Sequence, residues 1–168
     1  MTILNQNMSW NQVLAAHPDY MRAFRAMPVK TLIPQGQMLC RFITTESKKK
    51  GMRGNEVFFS PWWMDWSTTA GMLAHWRTLH AGPKDVIRAR LAVTTDFSQE
   101  LDSLVQIILT KPVYAWKGVA LHQEDKTLGI TYLGGGEQLY LPNLASDAQG
   151  LSSNVAYLHC FTAAESLA

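Results

Sequence analysis

Residues Gly51 to Trp76, GMRGNEVFFSPWWMDWSTTAGMLAHW, hold four of the chain's six tryptophans, and the way this stretch divides decides the fold. EVFFS, Glu56 to Ser60, is half polar and rich in β-formers, which predicts a short strand. Pro61-Trp62-Trp63 reads as a turn. Capping by Ser67, Thr68 and Thr69 then predicts a helix that continues through Ala70, Leu73, Ala74 and Leu79 to His80 and stops at Gly82-Pro83. A strand that ends in Ser-Pro before packed aromatics has the make-up of a cleft wall, although buried tryptophans more commonly serve a core or an interface.

Upstream, Pro34-Gln35-Gly36 marks a turn, and QMLCRFITT reads as a mostly apolar strand whose one charge is Arg41. A guanidinium among apolar neighbours is costly unless something anionic meets it. It either pairs with a carboxylate such as Asp65 or Glu137, or holds a phosphate or carboxylate ligand. Glu46 to Asn55, with Lys48-Lys49-Lys50, is polar enough to be a connection. Nearer the N-terminus, Ser9 and Gln12 have capping-box spacing, and helices are predicted over Ser9 to Ala16 and Asp19 to Ala26. Residues 1–34 are therefore expected to brace a sheet core spanning 37–168.

Downstream, DVIRARLAV alternates and predicts a strand with one wet face. Asp96 or Ser98 would cap a helix over Gln99 to Leu109, ended by Lys111-Pro112. VYAWKGVALHQ, GITYLGGGEQLYLPNL and NVAYLHCFTA read as strands. Helices fall early and strands late, the order of an α+β chain with a mixed or antiparallel sheet.

At 168 residues the chain suits one buried core, so a single domain over 1–168 is expected. Hydrophobic residues at 47% and charged residues at 17% give a globular balance. A formal net charge of +2, with dispersed lysines and arginines, is too little for affinity built on duplex phosphates. Two cysteines far apart, Cys40 and Cys160, make no disulfide framework and no metal-ligand spacing, so no structural metal is expected. No basic n-region precedes an apolar run, and no run approaches the ~20 residues that span a bilayer. The expectation is a chain without a membrane span, cytoplasmic where it is made.

The other informative stretch is Tyr132 to Asn143, YLGGGEQLYLPN. Three glycines allow a tight exposed loop or a bulge, and Glu137-Gln138 stand where that loop becomes a strand. The GxxxxGK[ST] pattern is absent, so this is no phosphate loop.

Arg41 in LCRFI, Ser60 in VFFSP and Glu137 in GGGEQLYLP occur in an order that resembles the ADP-ribosyltransferase superfamily, over about Met38 to Pro142. The resemblance implies a split β-sandwich that takes NAD as substrate. In it Arg41 anchors the phosphates or ribose, Ser60 holds the site together and Glu137 bonds the nicotinamide ribose. Phe42, Phe59, Trp62, Trp63 and Gln138 complete the NAD-contacting set, with an aromatic ring stacking on nicotinamide. The superfamily's glutamate, four residues before the strand-ending proline, falls on Gln138 here, with Glu137 one place earlier. A one-residue bulge or an inactive site would account for that. The residue two before the glutamate is Gly135, which does not support arginine- or asparagine-directed transfer.

The implied activity is that of an ADP-ribosyltransferase or NAD glycohydrolase, an effector or toxin with a macromolecular target, open to delivery into another cell. Two rival readings remain. One is a protein-binding module that grips a partner through Trp62, Trp63 and Trp66. The other is a thiol enzyme using Cys40 or Cys160 with His122 or His159, disfavoured because His159 and Cys160 alternate on a strand.

Overall fold

The structure, a computed structural model, describes residues 2–43, 60–79, 83–95, 101, 103–145 and 152–162. Its order is α1 (Trp10–Ala16), a 3-10 helix (Pro18–Arg22), β1 (Val29–Ile33), β2 (Met38–Ile43), β3 (Trp62–Asp65), α2 (Trp66–Leu79) and α3 (Pro83–Leu91). Then come β4 (Ser103–Leu109), β5 (Val113–Val119), β6 (Gln123–Asp125), β7 (Ile130–Tyr132), β8 (Glu137–Tyr140) and β9 (Val155–Thr162). Seven strands form one antiparallel sheet in the order β1-β5-β8-β3-β2-β4-β9, and β6 and β7 make a separate hairpin. The chain is α+β.

Strict alternation sorts the side chains between two faces of this sheet. On the inner face, Leu39 and Ile43 of β2, Trp63 of β3, Val105 and Ile107 of β4, Val113 and Ala115 of β5, and Leu139 of β8 fuse into one core. For a single cluster to draw on strands from both ends, the sheet must curl around it. The outer face is covered twice. Trp10 and Val13 of α1 pack with Phe24 on Trp116 and Tyr140, while Met72 of α2 and Val86 of α3 pack on Met64. The Ser9–Gln12 capping box that starts α1 is present, with Gln12 N–H donating to Ser9 Oγ at 3.3 Å and Ser9 N–H to Gln12 Oε1 at 2.7 Å.

Several sequence expectations are corrected. Val29–Ile33, within the expected helical brace, is an edge strand, and the second N-terminal helix shrinks to a 3-10 turn at Pro18–Arg22. The Pro-Trp-Trp turn is strand β3, and Glu56 to Phe59 lie outside the described residues. DVIRARLAV is mostly helix: Pro83 opens it, Asp85 sits in its first turn, Arg88 and Arg90 in its last, and together these favour a helix dipole over the alternation. The helix expected to end at Leu109 is instead β4, a strand between β2 and β9 with one face buried and the other partly so, whose near-continuous apolar run carries no period. Helix α2 is capped by Asp65 rather than Ser67: its carboxylate accepts from Thr68 N–H at 2.7 Å and from the Ser67 hydroxyl at 2.8 Å.

Candidate functional site

Strand β3 is the seam of the sheet. Its first half pairs with β8, Trp62 opposite Tyr140 and Trp63 opposite Leu139, while its second half pairs with β2, Met64 opposite Cys40 and Asp65 opposite Leu39. Beyond Cys40, β2 continues as Arg41, Phe42 and Ile43 against β4 without a β3 partner. The two strands therefore splay apart at Arg41. A cavity of about 640 Å³ opens at this splay, within the ~300–1,000 Å³ range of small-ligand sites.

Arg41, Phe42, Ser60, Trp62, Trp63 and Gln138 all line this cavity, so six of the eight sequence-derived site residues meet in one place. Phe59 lies outside the described residues. Glu137 is not among the lining residues. Strand β8 runs in regular register against β5, Val119 opposite Glu137 and Gly118 opposite Gln138, with no bulge. Alternation puts Gln138 on the outer face with Trp62 and Phe42, and Glu137 on the inner face with Leu139, the face that Arg41 shares with Leu39 and Ile43; Arg41 reaches the cavity where the strands splay. Glu137 meets Lys117 at 2.8 Å, and Lys117 also reaches Asp65 at 3.7 Å. The two carboxylates considered as partners for Arg41 both turn to this lysine.

Burial strips water from the Arg41 guanidinium and lowers its pKa to about 10, still charged at neutral pH. Its Nη1 donates to the Ser60 carbonyl oxygen at 3.4 Å, and its Cζ stands 5.5 Å from the Trp63 ring centroid. Ser60 thus positions the arginine through its backbone. Across the cleft the Gln138 Nε2 donates to the Ala23 carbonyl at 2.9 Å, which leaves its Oε1 as an acceptor.

The N-terminal segment supplies a wall that the sequence reading did not assign. Asp19, Tyr20, Arg22 and Ala23 line the cavity, and Asp19 is the one carboxylate among its described lining residues. Tyr20 packs edge-on against Trp62 at 5.3 Å and Tyr140 at 5.4 Å, and desolvation pushes the Tyr140 hydroxyl up to about 12. Leu91, at the end of α3, and Ala92 to Thr94 after it form another part of the wall. Nothing in the sequence links residues 19–23 to residues 91–94, because their meeting is purely tertiary.

The glycine run is not an exposed loop. Gly134 and Gly136 N–H groups donate to the carbonyls of Ala89 at 2.8 Å and Arg90 at 2.7 Å, closing the C-terminal end of α3. Gly134 has φ +70°, and a Cβ there would press on the Ala120 carbonyl oxygen.

The rival readings can be set against the same geometry. Trp63 is 1% exposed and Trp62 is half-buried in the aromatic cluster, so of these three Trp66, at 41%, offers a surface ring. Burial raises the Cys40 thiol to about 11, which keeps it protonated and unreactive at neutral pH. Among the described residues no three His, Cys, Asp or Glu side chains gather as a metal site needs. Nor is any described helix long and apolar enough to cross a membrane.

No family model matches the chain, and no curated protein does. Among solved structures, it is similar to a chain from the structure of Tne2 in complex with Tni2, with a TM-score of 0.50 and 14% identity over 80% of this chain and 92% of that one. At that identity the likeness is one of fold.

Proposed function

We propose that this chain cleaves the nicotinamide–ribose bond of NAD, as a glycohydrolase or ADP-ribosyltransferase, on a split β-sandwich of the ADP-ribosyltransferase kind. The observation that carries the reading is the convergence of Arg41, Trp62, Phe42 and Gln138 on one cavity at the seam of the sheet. Each supplies what the reaction lacks in water. The desolvated guanidinium anchors the pyrophosphate. The aromatic rings stack on nicotinamide, and the Gln138 carbonyl oxygen accepts from a ribose hydroxyl.

The C1′–N1 bond breaks with its electron pair moving onto the ring nitrogen, so the leaving group departs as neutral nicotinamide and needs no general acid. C1′ becomes oxocarbenium-like, and a water oxygen or an acceptor adds to it and releases a proton. With Gln138 in the cleft and Glu137 turned to Lys117, the ribose contact passes from the carboxylate to the carboxamide. A neutral amide can orient a ribose but cannot deprotonate an acceptor, which favours water over a protein side chain.

The structure to which the fold is similar holds Tne2 with Tni2, and the reading extends to this chain as an effector or toxin held by a protein partner. The test is nicotinamide release from NAD by the purified chain, with melting followed in parallel. NAD at a hundred times its Kd adds about 2.7 kcal/mol of stability. No release and no shift with NAD would end the proposal.

A further inference from the structure

One small element, whose Gln123 itself lines the cavity, is bonded to two parts of the cavity wall. Strand β6 is three residues long, and Gln123 and Asp125, two apart, share a face. Gln123 Nε2 donates to the Arg22 carbonyl at 2.6 Å, on the N-terminal wall. Asp125 Oδ2 accepts from Thr95 N–H at 2.6 Å and from the Thr95 hydroxyl at 2.7 Å, directly after the Leu91 to Thr94 wall. Its other oxygen accepts from Leu128 N–H at 2.9 Å, and so binds the carboxylate into the turn of its own hairpin.

We infer that β6 is a clasp, and that Gln123 and Asp125 are positioning residues which set the shape of the cleft by tying these two parts of its wall to one strand.

Three observations support this. Asp125 is 0% exposed, and a buried carboxylate is retained at a cost unless its hydrogen bonds are needed where they stand. The Thr95 wall is gripped a second time, because Arg88 Nη1 donates to the Val93 carbonyl at 3.1 Å and Ala92 is held at φ 54°, a left-handed backbone that an alanine adopts only under such constraint. The Arg22 wall is also gripped twice, by Gln123 and, one residue on, by Gln138 at the Ala23 carbonyl. Backbone bonds also anchor each wall, Leu121 N–H to the Ala23 carbonyl at 3.2 Å and Gly136 N–H to the Arg90 carbonyl at 2.7 Å, and the side-chain bonds of β6 act in addition to them.

The kinetic consequence rests on the NAD reading, but the mechanical one does not, so two measurements separate them. The variants are Gln123→Ala, which removes a half-buried side chain, and Asp125→Asn, which keeps the shape while breaking the charge-assisted bonds. In amide exchange a clasp transmits each loss from one part of the wall to the other. Gln123→Ala accelerates exchange at Val93 and Thr95, and Asp125→Asn accelerates it at Ala23 and Arg25, by about tenfold, with the β4 and β5 amides unchanged. In NAD turnover, both variants raise KM by roughly fivefold to tenfold with kcat kept, the effect of losing one net positioning bond. Exchange that changes only on the mutated residue's own wall overturns the clasp, as does uniform acceleration that includes β4 and β5. If the parent chain leaves NAD intact, the proposed function fails, and the exchange result still decides the clasp.

Discussion

The Arg41 guanidinium stands 5.5 Å from the Trp63 ring centroid, at the point where β2 and β3 part. Stacking of this kind favours arginine over lysine, whose compact, strongly hydrated ammonium neither matches the ring face nor bonds a phosphate bidentately. Arg41→Lys is expected to lose the NAD-induced melting shift while remaining folded. Arg41→Met keeps the volume and removes a charge that burial penalises. It should unfold within about 1 kcal/mol of the parent, a change of some 2–4 °C, yet release no nicotinamide.

Gln138 and Glu137 are adjacent and face opposite ways, so the two substitutions separate. Gln138→Ala should cut nicotinamide release by about 10²-fold or more, the usual cost of one oriented polar contact in a transition state. Glu137→Gln breaks only the half-exposed pair with Lys117 and costs no more than about 1 kcal/mol, with activity at the parental level. Initial rates of nicotinamide release on the two proteins, side by side, decide which residue serves the cleft.

The Asp65–Lys117–Glu137 cluster gives stability a defined pH window. Burial alone would raise the Asp65 carboxyl, but hydrogen bonds from Thr68 and Ser67 and the charge of Lys117 outweigh it, so its pKa is lowered. Its contribution is present above its unfolded value near 3.8 and is lost as pH falls through the lower folded value. Lys117 is raised by its hydrogen bond to Glu137, reinforced by the charges of Glu137 and Asp65 against burial. Its contribution is present below 10.5 and is lost as pH rises through the higher folded value. Asp65→Ala removes the cap of α2 as well and should cost about 1 kcal/mol near neutrality. Melts from acid to alkaline pH should show a flatter acid limb for that variant than for the parent.

Gly134→Ala places a methyl group on a left-handed backbone and against the Ala120 carbonyl oxygen. The conformational cost alone is about 1–2 kcal/mol, and the contact adds to it. Denaturant unfolding should show a lower midpoint with an unchanged slope.

Local signals were read well wherever a side chain acts on its own backbone. The Ser9–Gln12 box follows from capping, and strand β2 around Arg41 and the helix to Leu79 follow from patterning, although Asp65 and not Ser67 caps that helix. The readings failed where apolar residues on both faces erased the period, as in SLVQIIL, and where end charges and Pro83 outweighed an apparent alternation, as in DVIRARL. Gln138 against Glu137 was a question of register: one residue of offset exchanges the faces, and only pairing with β5 sets the offset.

The sequence by itself determined the residue types offered to the cleft: an arginine inside an apolar strand, an aromatic run after Ser-Pro, and a Glu-Gln pair beyond three glycines of which Gln138 lines it. Tertiary structure alone decided which of them meet, because β3 divides its pairing between β8 and β2 and opens the sheet at Arg41. It also brought residues of 19–23 and 91–94 to the lining of one cavity. Contacts between segments so far apart in the chain follow from how the whole sheet curls around its core, and no local pattern encodes that.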